Sequence, residues 1–233
     1  MRLAAILLAL LPTPALAQAY QCAPPARFEP ARPIRPDGPA IRAVIGRYTL
    51  AASWSPEYCR SKRAKGADNA LQCGGANGQF GFVLHGLWPE SNSCPAPHWC
   101  SLTPRPSQQL LRQNICMTPA PRLLEHEWAK HGSCMAKTPE GYFRVAGILW
   151  QSLRWPDMDR LSRQADLSAG DLRGAFVAAN RGWKAEAVGI ATGSRGWLRE
   201  LKLCYGRDFM PQACPRGSFG PPNAAQLKIW RGN

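Results

Sequence analysis

Residues 48–54 (YTLAASW) combine β-branched and aromatic side chains, and Ser55-Pro56 follows as a break, so the stretch predicts a strand. Residues 80–84 are a short apolar run. They predict a buried strand with His85 at its C-terminal end and Gly86 permitting a sharp exit. Residues 198–205 (LRELKLCY) alternate, with Leu198, Leu201 and Leu203 apolar, and predict a further strand. Elsewhere the apolar period lengthens. Ser107 caps a short helix through Gln113, and residues 122–131 predict a helix with Gly132 as its stop. Pro139 and Glu140 open another helix, apolar at Phe143, Ile148 and Leu149, that runs to about Leu153. Ser168 caps a fourth, carrying Leu172, Phe176 and Val177 and closed by Gly182. Residues 66–78 are polar and Gly-rich, and read as turns. Residues 90–106 hold four prolines and two cysteines, and read as a stapled loop. Helices and strands mix without regular βαβ alternation, which predicts an α+β fold in a single domain.

The ends change this picture. Arg2 and an apolar run from Leu3 to Leu11 resemble a removable export signal, with Ala15 and Ala17 permitting cleavage before Gln18. The run is too short to cross a bilayer, which needs ~20 residues. The expected organisation is a signal peptide at 1–17, an extended Pro/Arg-rich arm at 18–40 and a single folded domain at 41–233. The expected location is periplasmic or secreted. Nine cysteines in an exported chain predict disulfides, and no CxxC pair suggests a zinc or redox motif. The count is odd, so one thiol is left over unless it pairs between chains. The formal charge of +14 favours a polyanionic partner, nucleic acid or an anionic surface.

Three of the four histidines fall in two short stretches, FVLHGLWP (82–89) and EHEWAKHGSC (125–134). On a helix, Glu127 and His131 are four apart and Glu127 and Lys130 three apart, so one edge presents all three, with His126 at its border. Trp128 falls on another side, toward the core. A metalloprotease site needs two histidines four apart; His126 and His131 are five apart, and Lys130 would set a cation beside the metal. A solvated helix face would explain the second stretch alone, but not the imidazole of the first. RNA offers a reason for the pair. Its 2′-hydroxyl attacks the adjacent phosphorus when a base removes its proton and an acid protonates the departing 5′-oxygen. Imidazole does either task near neutral pH. Fixed cations stabilise the phosphorane, and no metal is required.

HGLWP (85–89) and HEWAKHG (126–132) closely resemble the two active-site segments of the ribonuclease T2 family, in the right order. The likeness extends more weakly to SWSPEYC (53–59) and to the Cys204–Cys214 region. It implies a central antiparallel sheet flanked by helices. It implies endonucleolytic cleavage of single-stranded RNA to 2′,3′-cyclic phosphates, then hydrolysis to 3′-phosphates, by a monomer with no metal or other cofactor and no membrane attachment after signal removal. Carried over, His131 is the base and His85 the acid of the first step. Glu127 and Lys130 stabilise the pentavalent phosphorus, with Glu127 also orienting His131. His126 binds phosphate, and Trp88 shapes the phosphate or base pocket. Glu90 stands where family members often have a base-contacting Asp, so base preference stays open. The pattern implies Cys59–Cys73 and Cys204–Cys214 bridges, and a partner for Cys134 in Cys94 or Cys100. Cys22 and Cys116 are not assigned by it. The alternatives are a catalytically idle relative that binds RNA or a protein partner, and an exported zinc hydrolase.

Overall fold

The computed structural model describes residues 19–20, 22–28, 33–62, 67–93, 95–101 and 104–232. The expected signal peptide at 1–17 lies outside them. In chain order the elements are β1 (Ala19–Tyr20), β2 (Arg47–Trp54), α1 (Ser55–Lys62), α2 (Ala67–Cys73), β3 (Gln79–Phe80), β4 (Phe82–Glu90), α3 (Gln108–Asn114), α4 (Pro121–Lys130), α5 (Pro139–Ser152), α6 (Met158–Ser162), α7 (Ala169–Ala179), β5 (Val188–Thr192), β6 (Leu198–Gly206) and α8 (Arg216–Phe219). The fold is α+β. Its main sheet is antiparallel, in the order β4-β2-β6-β5.

Side-chain alternation on the central strand decides which face is covered. Leu50, Ala52 and Trp54 of β2 point into the core. Leu201 and Leu203 of β6 join them, with Leu124 and Trp128 of α4, Tyr142 and Phe143 of α5, and Leu172 and Phe176 of α7. Thr49, Ala51 and Ser53 face the other way. Strand β4 obeys the same rule only because it contains a bulge. Leu84 pairs with Ala52 and Gly86 with Ala51, so His85 has no partner of its own. The extra residue restores the phase, and Leu84 and Leu87, three apart, both enter the core. It also sends His85 out on the open face, ahead of Gly86, Trp88 and Glu90. His85 therefore lies mid-strand on a bulge, rather than at the strand end that the apolar run suggests.

Helix α4 follows the expected stretch, with Pro121 in its first turn, and Ser168 and Asp171 form a capping box on α7. Four helices were not visible in the sequence: α1, α2, α6 and α8. Ser55-Pro56 begins α1 instead of merely ending β2, and α2 lies inside the segment read as turns. Helices this short are marginal alone. The Cys59–Cys73 disulfide joins α1 and α2. Strand β5 was also unforeseen. Further disulfides are Cys204–Cys214, Cys100–Cys134 and Cys22–Cys116. Cys94 lies outside the described residues.

The N-terminal segment forms no helix or strand over residues 22–28 and 33–40, but it is anchored to the body. Cys22 is bonded to Cys116, and Phe28 is buried in the core. Ile41 forms a bridge with His98, and Arg42 donates to the Cys100 carbonyl at 3.2 and 3.0 Å.

Candidate active site

The open face of the sheet meets the C-terminal end of α4. Ala51, fully buried and small, leaves room beside it for groups from β4 and β6 to approach across β2. His85 Nδ1 lies 2.8 Å from Glu200 Oε1 of β6, and the Ser53 hydroxyl donates to the same oxygen at 3.0 Å. His85 Nε2 lies 3.7 Å from Glu127 Oε1 of α4. Trp88 Nε1 donates to the other Glu127 oxygen at 2.7 Å. The Trp88 ring stands between the two imidazoles, 5.2 Å from His85 and 5.7 Å from His131 between centroids. Gly86 makes this fit possible: a Cβ there would come within 2.0 Å of Glu127 Oε2 and 2.7 Å of Trp88 Nε1. Below the site, Tyr142 accepts from the Leu87 N–H at 3.0 Å, which ties β4 to α5.

The structure brings His85, Trp88, Glu127 and His131 to one place. It sorts them differently from an ideal helix face. Helix α4 ends at Lys130, and His131 is its C-cap, with φ −108° and ψ −46°. Glu127 therefore turns its carboxyl to Trp88 and His85, not to His131. Lys130 leaves that row too. Its ammonium pairs with Asp37 Oδ2 at 2.6 Å and lies 5.8 Å from the centre of the Trp99 ring. Trp99 donates its ring N–H to Asp37 Oδ1 at 2.8 Å and its backbone N–H to the Lys130 carbonyl at 2.7 Å. Trp99 has φ +53°, a rare conformation for a bulky residue. The neighbouring Cys100–Cys134 bond holds this loop against the end of α4. His126 packs its ring edge against Trp99, 5.4 Å between centroids. Glu90 lies on the same sheet face as Trp88 and accepts from the Thr49 hydroxyl at 2.7 Å.

The two imidazoles sit in opposite fields. For His85, burial works against the proton, but the bond to Glu200 and the nearby Glu127 outweigh it and hold its pKa above the ordinary range. For His131, burial and then Lys130, His126 and His85 act together and push its pKa down to about 3. Its Nδ1 is buried and has no hydrogen-bond partner among the described residues. A protonated ring would leave a donor there unmet, which is costly. Burial lifts Glu127 to about 7, against the pull of His85 and the Trp88 bond. His126 is lowered by burial and Lys130.

The sequence profile of the ribonuclease T2 family matches residues 45–169. The chain belongs to the ribonuclease T2 family. It is 31% identical over 170 residues to a ribonuclease of Aeromonas hydrophila, across 69% of this chain and 72% of that protein. It is 30% identical over 191 residues to a probable ribonuclease of Haemophilus influenzae, across 76% of this chain. That alignment spans 64% of the Haemophilus protein, just under two thirds of its length. The fold is similar to that of trichomaglin, an S-like ribonuclease, with a TM-score of 0.62 at 22% identity, over 79% of this chain and 98% of that one. The family is the one the two motifs resemble. Three T2-site neighbours were missed in the sequence: Glu200, Asp37 and Trp99. Glu200 sits at a polar position of an alternating strand and carries no motif. Asp37 lies in the Pro/Arg-rich arm, ahead of the profile match.

Proposed function

We propose that this T2-family protein is an exported endoribonuclease that cleaves single-stranded RNA without a metal, first to 2′,3′-cyclic phosphates and then to 3′-phosphates. The observation that carries the reading is the pair of imidazoles flanking Trp88, one favouring its proton and one disfavouring it. Groups whose environments pull their pKa values apart are suited to opposite proton-transfer roles.

In the first step neutral His131 takes the 2′-hydroxyl proton. The 2′-oxygen bonds to phosphorus, the P–O5′ bond breaks, and His85 gives its proton to the departing 5′-oxygen. In the second step the roles reverse. His85 takes a proton from water, the water oxygen bonds to phosphorus, the P–O2′ bond breaks and His131 returns a proton to the 2′-oxygen. A bound phosphodiester brings a negative charge that offsets Lys130 and His126 and makes His131 a stronger base. Lys130 and His126 face the phosphate, while Glu127 holds Trp88 and supports His85. Trp88 and Glu90 line the base side. Export is supported by the disulfides and by the N-terminal signal pattern; no helix among the described residues is long and apolar enough to cross a membrane.

The test is cleavage of a dinucleoside phosphate in EDTA, with the cyclic phosphate followed by chromatography. His85→Ala and His131→Ala should each lose ~10²–10⁴ in rate, the usual contribution of a general acid or base. His98→Ala should keep it, since among the described residues that ring bonds the nearby Ala96 carbonyl, at 3.0 Å, and no group of the site. Full turnover by both motif variants would end the reading.

A further inference from the structure

The Lys130 ammonium is the strongest charge acting on the His131 ring, and the arm has brought an anion to it. Asp37 is largely exposed, with 55% of its side chain open, whereas Lys130 is 23% open. Hydrogen bonds from Lys130 and Trp99 hold the Asp37 pKa at about 2, so it stays charged wherever the enzyme works. The carboxylate is held in place by its surroundings. Residues 41 and 42 are bonded to residues 98 and 100, the Cys100–Cys134 disulfide fixes that loop to the end of α4, and Trp99 grips the other Asp37 oxygen. A ligand phosphate that uses Lys130 must share it with this carboxylate.

Such sharing ranks ligands by charge. The substrate of the proposed reaction is a phosphodiester with one negative charge. Its final product is a phosphomonoester, whose second ionisation lies at about 6, so it is mostly doubly charged at neutral pH. Two oxyanions on one ammonium sit about 5 Å apart, and at that separation each unit of ligand charge loses about fourfold in affinity in a water-like medium. We infer that Asp37 is a specificity-determining residue that favours the singly charged diester over the doubly charged monoester, and so sheds the end product. The inference rests on the ribonuclease reading and deepens it. It gives the arm a role at the site that the two motifs do not contain.

The test is calorimetric binding at pH 7.5 of two uncleavable probes, 2′-deoxyuridine 3′-phosphate and 2′-deoxyuridylyl-(3′,5′)-uridine. Asp37→Asn should tighten both, and the monoester about fourfold more than the diester. Asp37→Glu keeps the charge and should leave the ratio within about twofold of wild type, and raising the salt should shrink the Asn effect. Asp166→Asn, a charge removed from an exposed position outside the site, should not move the ratio. An unchanged monoester-to-diester ratio in Asp37→Asn overturns the inference. So does a fall in kcat with that ratio fixed, which would make Asp37 an orienting partner of Lys130. The two levels separate cleanly. A wild type that cannot cleave RNA refutes the function, while an active wild type with an unmoved ratio refutes only the role of Asp37.

Discussion

Replacing Glu200 by Gln removes one negative charge from beside His85 and keeps an acceptor for its ring N–H. The contact is 2.8 Å. Two unit charges at that separation interact by about 1.5 kcal/mol if the medium screens like water, and by about 6 kcal/mol at an effective dielectric of 20. The His85 side chain is 36% exposed, so the smaller figure applies. That is about a tenfold loss in the preference for the protonated ring. His85 has to be protonated to act as the acid, and its pKa is raised in the folded protein. The wild-type rate therefore stays high as pH rises through the ordinary imidazole range and falls only above it. Losing the carboxylate lowers that pKa, so the alkaline limb moves toward acid. Above the shifted limb the variant should be up to about tenfold slower, and well below it nearly equal to wild type.

The assay is kcat/KM for a dinucleoside phosphate between pH 4 and 9, which reports the ionisations of the free enzyme. His131, with its pKa pushed down to about 3, should stay neutral across this range, so neither enzyme should lose rate toward pH 4 through that ring. Circular dichroism confirms that the variant is folded. An alkaline limb that stays put would refute the claim that Glu200 sets the proton affinity of His85. A uniform loss at every pH would make Glu200 a support for geometry alone.

Two further substitutions test the frame. Gly86→Ala forces a Cβ within 2.0 Å of Glu127 Oε2, so Glu127 and Trp88 must shift; a stability loss of about 1–3 kcal/mol and a rate loss above tenfold are expected, read by thermal melting and turnover. Arg173→Met in α7 should cost more than about 3 kcal/mol, because the fully buried guanidinium donates to the Val188, Phe219 and Pro221 carbonyls and to the Asn223 side chain. The melting temperature should fall while kcat per folded molecule holds; an unchanged melting curve would deny Arg173 its structural role.

The parts of the site legible in the sequence are those whose neighbours are close along the chain. HGLWP and HEWAKHG each concentrate their chemistry within one strand or one helical turn: helix spacing grouped Glu127, Lys130 and His131, the family resemblance added Trp88, and the structure then turned Glu127 to Trp88 and His85 instead of His131. Glu200 is 115 residues from His85, and Asp37 is 93 residues from Lys130. No local period reports such contacts. The bulge was half visible. Leu84 and Leu87 break the strand alternation by one residue, and a phase slip at a histidine is a signal for a bulge. Reading the apolar run as ending at Leu84 hid it. α1 and α2 were missed for a different reason, since their short sequences hold little helical period and the disulfide that joins them leaves no mark in local spacing.

The opposed tuning of the two imidazoles follows from the kinds of element that carry them. His131 caps a helix C-terminus, where the backbone dipole favours a cation by at most about 2 kcal/mol. Burial, the unmet Nδ1 and the positive influence of Lys130 and His126 override that preference, and both residues come from the same helix end. His85 has no helix dipole to help it. It stands on a bulged strand, where the sheet and α4 deliver carboxyl groups from both sides. Swapping the roles would require moving charges on two separate elements, α4 and β6, at once. The proposed assignment of acid to His85 and base to His131 thus rests on the whole frame, and a single substitution should weaken one role without transferring it to the other ring.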